Sequence, residues 1–401
     1  MKRKIYSLAM LTLAAFSFGK ASAQCPSGRY NSFVFSSYTM DSVVYSTPYN
    51  LKMDIYQPAG DALTARPLII LAHGGSFVGG TRADDATVTD LCKNFAKRGY
   101  VTASIDYRLG SLVPMVLDST VAIDVVIKAI SDGKAAVRFF RQDAATTNTY
   151  KIDVNHIYYG GNSAGAVLYM HAGYLNDTME APTYLRTALN ANGGIEGNSG
   201  NPGYSSGANA VINLAGALNN VSFVATGDMP SVNAQGDNDA TVPYSCAYPL
   251  SGSVHVNLCG LGPLEPQYVS KGIYHMSKVY PGDGHVPWST DATKFAQVDS
   301  MVTEFLYNLT CTNVGVSEVA TTSEVSVFPN PATSEVNLRS SEMVKEVTVF
   351  DQTGRVVLSY TGVNNKNYTL NTSLLSSGIY MMKVHFADDN FTPIVKRIVI
   401  E

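Results

Sequence analysis

The apolar positions of this chain keep one rhythm to about residue 310 and another after about residue 325. Residues 67–72 run Pro-Leu-Ile-Ile-Leu-Ala without a polar break, which predicts a central strand buried on both faces. Residues 101–107 and 157–159 read the same way. Between them, residues 86–98 set Leu91, Phe95 and Ala96 on one helical face, with Gly99 as the stop. Residues 118–140 set Val121, Val125, Ile130, Ala136, Val137 and Phe140 on another, with a break or kink expected near Gly133. Leu51, Met53 and Ile55 alternate with Lys52, Asp54 and Tyr56, an edge-strand pattern within a strand-rich stretch from residue 32. A helix is expected at 166–175, strands at 210–214, 231–235 and 276–280, and a closing helix at 290–309. Strands alternating with helices predict an α/β unit with a mainly parallel sheet. From residue 325 the period falls to two. Residues 325–328, 346–350, 355–358, 379–384 and 394–400 read as short strands of a small all-β sandwich, with turns at 351–354 and 376–378.

Two stretches stand outside these patterns, and a third joins the two units. Residues 1–23 combine basic Lys2-Arg3-Lys4, a short apolar run and Ala21-Ser22-Ala23. That is the form of a signal peptide cleaved after Ala23. Its apolar run is too short to span a bilayer, so no transmembrane segment is expected in the mature chain. Residues 179–209 are crowded with Gly, Asn and Ser. They are either a cap over a site or a surface excursion. Residues 313–323 lack periodicity and read as a linker. The expected division is signal peptide 1–23, α/β domain 24–312, linker 313–323 and β domain 324–401.

Composition narrows the function classes. Only 15% of the 401 residues are charged, against 45% hydrophobic, and 24 are Tyr, a balance that suits a secreted protein. The net charge of −4 and the lack of a basic, aromatic-interleaved patch argue against a nucleic-acid partner. Export permits disulfides. The five cysteines are Cys25, Cys92, Cys246, Cys259 and Cys311. Cys246 and Cys259 are the first candidate pair, and the odd count leaves at least one thiol over or a bond to another chain. Lipidation of Cys25 is disfavoured by Gln24 before it. No Cys/His spacing resembles a zinc site, and no cofactor is implied.

The candidate chemistry centres on Gly161-Asn162-Ser163-Ala164-Gly165. It follows a predicted strand and precedes a predicted helix, the setting of a nucleophile elbow. A serine hydroxyl needs a neighbouring base. Among the histidines, His285 lies in a Gly/Pro-punctuated loop before the last helix. His73 follows a central strand and reads as an organiser of its loop, and His156 and His171 as structural. The imidazole needs an orienting carboxylate. Asp239 is preferred, with Asp237 shaping the turn. The backbone N–H groups of Gly75, Ser76 and Ala164 are the expected oxyanion donors. Phe77, Tyr244 and Trp288 are candidates for an aromatic substrate pocket.

Taken in order, His73-Gly74-Gly75, Asp106-Tyr107-Arg108-Leu109, Gly161-Asn162-Ser163-Ala164-Gly165, Asp239-Ala240-Thr241-Val242-Pro243 and Gly284-His285 resemble the α/β-hydrolase carboxylesterases with an H-G-G oxyanion motif. Lipase-like, feruloyl and acetyl-xylan esterases belong to that group. The departures are Ser76, where many relatives have a third glycine, and Ala166, where glycine is frequent. The resemblance implies a secreted serine esterase acting on plant-polymer side-chain esters, short acyl esters or polyesters. The alternatives are a non-catalytic binding protein on the same scaffold and an exopeptidase. Val327-Phe328-Pro329-Asn330-Pro331-Ala332, Asp351-Gln352-Thr353-Gly354-Arg355-Val356, Leu375-Ser376-Ser377-Gly378-Ile379-Tyr380 and the terminal Val395-Lys396-Arg397-Ile398-Val399-Ile400 resemble the C-terminal sorting domain of the type IX (Por) secretion system of the Bacteroidetes. That resemblance implies a partner, the type IX machinery. It also implies passage through the periplasm of a Gram-negative bacterium to the cell surface or medium.

Overall fold

The computed structural model describes residues 25, 28–178, 181–311, 325–351, 356–387 and 394–400. The expected signal peptide and linker lie outside them. The chain divides into two compact units between residues 312 and 313.

The first unit begins with β1 (Tyr38–Ser46), β2 (Leu51–Pro58) and β3 (Arg66–Ala72). Helix α1 (Ala86–Arg98) and β4 (Val101–Ile105) follow, then a short α2 (Leu112–Leu117) and the long α3 (Ser119–Ala145). β5 (Ile152–Asn162) leads directly into α4 (Ala164–Tyr174). After α5 (Thr183–Ala191) come β6 (Ala210–Leu214), β7 (Ser231–Gly236) and the two-residue strands β8 (Cys246–Ala247) and β9 (Leu258–Cys259). Helix α6 (Leu261–Lys271), β10 (His275–Tyr280) and α7 (Ala292–Cys311) complete the unit. Eight strands form one sheet in the order β1-β2-β4-β3-β5-β6-β7-β10. β1 and β2 are antiparallel, and all pairings from β4 through β10 are parallel.

The unbroken apolar run of β3 explains its central place. Leu68, Ile70 and Ala72 enter the core shared with α3 and α4. Ile69 and Leu71 enter the opposite core, with Leu91 and Phe95 of α1 and Val302 and Phe305 of α7. Successive side chains point to opposite faces, so a strand covered on both sides has no polar position. The crossovers place the C-terminal ends of β3, β5, β7 and β10 along one edge of the sheet, where ligand sites of such folds form.

Helix α3 differs from expectation, since it runs through Gly133 without a break. Gly133 is there for packing. A Cβ on it would lie 2.5 Å from Leu168 Cδ2 and 3.1 Å from Tyr169 Cε1 of α4, so its absence lets the two helices approach. Residues 179–209 are not all loop, because α5 occupies 183–191 and buries Leu185 and Leu189. The segment after α5 is tied to α3. Ser199 Oγ donates to Asp132 Oδ1 (2.5 Å), Arg108 Nη2 donates to Ser199 Oγ (2.8 Å), and Arg138 Nε donates to Gly200 O (2.9 Å). Helices α2 and α6 went unread because Pro114, Pro263 and Pro266 interrupt their periodicity.

Cys246 pairs with Cys259, and Cys25 with Cys311, leaving Cys92 free and buried. The bond at Cys25 engages the sulfur that lipidation would need.

The second unit is a single five-stranded antiparallel sheet. Its strands are β11 (Val325–Phe328), β12 (Glu335–Phe350), β13 (Val356–Asn371), β14 (Gly378–Phe386) and β15 (Ile394–Ile400). β13 lines one edge of β12. On the other edge β11 pairs with residues 337–340 and β14 with residues 344–350. Val336, Leu338, Val347, Val349, Met382, Val384 and Ile398 form its core.

Candidate active site

Ser163 stands between β5 and α4 with φ 55 and ψ −118, a conformation a non-glycine residue adopts only at a cost of about 1–3 kcal/mol. Its neighbours make the turn possible. A Cβ on Gly161 would lie 2.4 Å from Ala72 O, and one on Gly165 2.1 Å from the same atom. Only glycines let the elbow sit this close to the end of β3. The Ser163 N–H donates to Leu214 O of β6 (2.8 Å), which pins the turn to the sheet.

Three sequence-predicted residues meet here. Ser163 Oγ–H donates to His285 Nε2 (2.7 Å), and His285 Nδ1–H donates to Asp239 Oδ2 (2.7 Å). A carboxylate only accepts, so Nδ1 carries the proton and Nε2 is left to accept from the serine. The other Asp239 oxygen accepts from the N–H groups of Thr241 (2.9 Å) and Val242 (3.0 Å), and the carboxylate is fully buried. Asp237 does more than shape its own turn. Its Oδ1 accepts from Gly282 N–H (2.6 Å), while Asn238 N–H donates to Asp283 O (3.0 Å). The Asp239 loop is thereby stitched to the loop that carries His285.

The donor side is built by the turn after β3. Gly75, Ser76 and Phe77 all have positive φ, at 118°, 54° and 62°. Among the described hydrogen bonds, the N–H groups of Gly75, Ser76 and Ala164 donate to no protein acceptor. His73 is buried, stacks on Tyr107 (ring centroids 4.3 Å apart) and holds no contact with the serine. Tyr107 Oη donates to His73 O (2.9 Å), and burial pushes the His73 imidazole below its ordinary pKa. His171 is also buried, with Nδ1–H on Val167 O (2.8 Å) and Nε2 accepting from Asn219 N–H (3.0 Å). His156 pairs with Asp153 (2.7 Å).

Two spaces meet at Ser163. A cavity of about 90 Å³ is walled by Phe77, residues of α2 and α3, Ala164 and Val167 of α4, Leu185 of α5, and residues 249–258. An open cleft of about 470 Å³ runs past His73, Gly75, Asp84, Thr87, His285 and Ser289. Of the three aromatic candidates, Phe77 lines the cavity and Tyr244 and Trp288 do not. Tyr244 packs against Gly262 at the start of α6 and borders a separate surface depression with Asp237 and Tyr248. Trp288 is buried and donates from Nε1 to Asn162 Oδ1 (3.1 Å).

Sequence reasoning missed the residues that hold the parts together. Asp85 caps α1 by accepting from Val88 N–H (3.3 Å), and its other oxygen accepts from Gly74 N–H (2.9 Å) and Asn162 Nδ2 (3.0 Å). With Trp288 on the far side of Asn162, one relay joins the turn after β3, the β5–α4 turn and the His285 loop. The only sequence signal was an Asp at the N-cap position of α1. The cavity walls gave none. Among the described residues no cluster of His, Cys, Asp and Glu could hold a metal ion, and no helix is long and apolar enough to cross a membrane.

This fold is that of an α/β-hydrolase. Residues 53–218 match the BD-FAE family, and residues 326–401 match the secretion system C-terminal sorting domain. The chain thus carries an esterase-like BD-FAE domain and a sorting domain that directs export by type IX machinery to the cell surface or beyond. A search of curated proteins gave no match. Among solved structures, the chain is similar to esterase 2 of Thermogutta terrifontis phosphorylated by paraoxon. The two are 22% identical over 67% of this chain and 94% of that one, with a TM-score of 0.50. The butyrate-bound form matches with the same figures. The form phosphoramylated by tabun matches at 21% identity and a TM-score of 0.51, with the same coverage. At this identity the likeness establishes the fold.

Proposed function

We propose that the protein is a secreted serine carboxylic-ester hydrolase working through an acyl-enzyme on Ser163. The observation that carries the reading is the unbroken chain Ser163–His285–Asp239, with both links at 2.7 Å, beside three unengaged backbone N–H groups. Ser163 Oγ attacks the ester carbonyl while its proton passes to His285 Nε2. The tetrahedral oxyanion is held by the N–H groups of Gly75, Ser76 and Ala164, each worth about 10²–10³ in turnover where such donors have been removed. Asp239 keeps the imidazole in the required tautomer and supports its positive charge. The imidazolium then protonates the departing alkoxide, and water activated by the same nitrogen attacks the acyl-enzyme and releases the acid. No cofactor enters these steps.

His285 borders the wide cleft and not the smaller apolar cavity. The alcohol oxygen must receive its proton from His285, so the alcohol lies in the cleft. An open, partly polar cleft admits a large alcohol, polymers included. The organophosphate adducts of Thermogutta terrifontis esterase 2 and its propionate and butyrate complexes support an esterase reading for the shared fold. Export begins with removal of residues 1–23 and passage through the periplasm of a Gram-negative bacterium of the Bacteroidetes. It ends with release through the sorting domain.

The test is labelling of the full chain by a fluorophosphonate probe together with hydrolysis of 4-nitrophenyl butyrate. Wild type should label on Ser163 and turn over, and Ser163→Ala should do neither. Equal turnover by Ser163→Ala would overturn the assignment. An unlabelled, inactive wild type would favour the binding-protein alternative.

A further inference from the structure

We infer that the cavity beside Ser163 is a length-limited site for a straight aliphatic acyl chain, with its depth set along helix α4. The inference rests on the acyl-enzyme reading and adds the identity of the acyl group. Ser163 and Ser76 border both spaces at the nucleophile, whereas His285 borders only the cleft. Once the alcohol lies on the His285 side, the substituent on the acyl carbon points the other way, into the apolar cavity.

That cavity follows one helix face. Ala164, Val167 and His171 all line it, at the i, i+3, i+7 spacing of a single stripe. From Ser163 to His171 the helix rises about 12 Å. An extended chain advances about 1.2 Å per bond, taking 3.3–3.6 Å for the three bonds of a residue. That length bounds the acyl chain at about eight carbons, and a volume of about 90 Å³, below the ~150 Å³ of a cavity that holds benzene, favours the shorter chains within it. The far end of the slot is polar and already satisfied. His171 Nε2 accepts from Asn219 N–H (3.0 Å), Asn219 Oδ1 accepts from Tyr184 Oη–H (2.9 Å), and Asn219 Nδ2 donates to Asn257 O (2.8 Å). A longer chain would have to break these bonds, leaving buried groups unpaired at about 1–3 kcal/mol each. The walls on the way are aliphatic, including Met115, Ile127 and Leu185. The phenol of an aromatic acyl group such as feruloyl would be buried there without a partner.

The experiment measures kcat/KM of the full chain on 4-nitrophenyl esters from acetyl to dodecanoyl, beside methyl ferulate. Wild type should rise to an optimum between butyryl and octanoyl, then fall by at least ~10-fold at dodecanoyl, within the 10–200-fold range of pocket discrimination. Methyl ferulate should be a poor substrate. Val167→Phe fills the slot one turn below the nucleophile. It should lower the hexanoyl-to-acetyl ratio of kcat/KM by about 10-fold or more. Val256→Phe narrows the slot from the wall formed by residues 249–258 and should lower the same ratio, which keeps the test intact if Val167→Phe does not fold. A profile flat through dodecanoyl, a preference for methyl ferulate, or variants that scale every ester equally would overturn the acyl site while leaving the acyl-enzyme in place. A wild type inert towards every ester and towards a fluorophosphonate would overturn both.

Discussion

Replacing Asp85 with alanine removes one carboxylate and three hydrogen bonds, to Val88 N–H, Gly74 N–H and Asn162 Nδ2. Loss of the N-cap alone costs about 1 kcal/mol. Each bond to a charged acceptor is worth about 1.5–3 kcal/mol when buried, and the half-exposed setting of Asp85 lets water replace part of it. The expected loss of stability is therefore ~2–4 kcal/mol. The catalytic effect is separate. Gly74 N–H is held on Asp85, which orients the peptide just before the Gly75 and Ser76 donors. With that tether gone the donors drift, and a misplacement of about 1 Å costs on the order of 10² in rate. Asp85→Ala should lower kcat by ~10–10²-fold with KM changed far less, since the cavity walls are untouched and the cleft loses only this one carboxylate from its lining. The assay is steady-state kinetics on 4-nitrophenyl butyrate well below the melting temperature, paired with a thermal melt. A variant that melts earlier yet keeps kcat within about twofold would show that Asp85 is a helix cap and nothing more.

Three further outcomes follow from the same structure. Burial pushes the His171 imidazole from 6.5 down to about 4. Both states are neutral above 6.5, and below it the unfolded chain gains a proton that the folded one does not take up until about pH 4. Stability should therefore fall as pH drops through this window, by ~3 kcal/mol at about 1.4 kcal/mol per pH unit. Melting curves from pH 7 to 4 should show a steeper fall for wild type than for His171→Gln, and parallel curves would refute the point. Cys25→Ser with Cys311→Ser opens a bond spanning 286 residues, for which chain entropy gives up to ~6 kcal/mol. Denaturant titration should show the loss with kcat unchanged, and an unshifted midpoint would count against the bond. Deleting residues 326–401, the matched sorting domain, in the native host should leave the esterase in the cell envelope fraction. Its appearance in the medium at the wild-type level would contradict sorting by this domain.

Local patterns with a fixed period were legible in the chain. The apolar run of β3, the one-faced stripe of α1 with its Gly99 stop and the elbow glycines each state their geometry within a few residues, and strand–helix alternation then orders the strand ends. That is why Ser163, Asp239 and His285, spread over more than 120 residues, could be placed at one edge. Contacts made across the fold left no such trace. Gly133 looked like a helix breaker because propensity is local, while its purpose is the approach of Leu168 and Tyr169 from another helix. Trp288 and Tyr244 are close in sequence to His285 and Asp239, yet their side chains turn away from the cavity. The acyl walls come from α2, α3, α5 and residues 249–258, whose convergence is decided by topology alone. The partner of Cys25 is equally non-local.

The same contrast bears on how the site works. Its four loops end four different strands, and each is fixed to a neighbour without help from a ligand. Gly74 is held through Asp85 to Asn162, Asn162 to Trp288, Asp237 to Gly282, and Asn238 to Asp283. These links form one chain that joins all four loops beside Ser163. They hold Ser163 in a backbone conformation that would otherwise relax at a gain of about 1–3 kcal/mol. A site fixed this way has its donors in place before the oxyanion forms, so little reorganisation remains for the moment of reaction. On the proposed reading, specificity then falls to the two spaces on either side, a narrow apolar cavity for the acyl half of the ester and a wider cleft for the alcohol half.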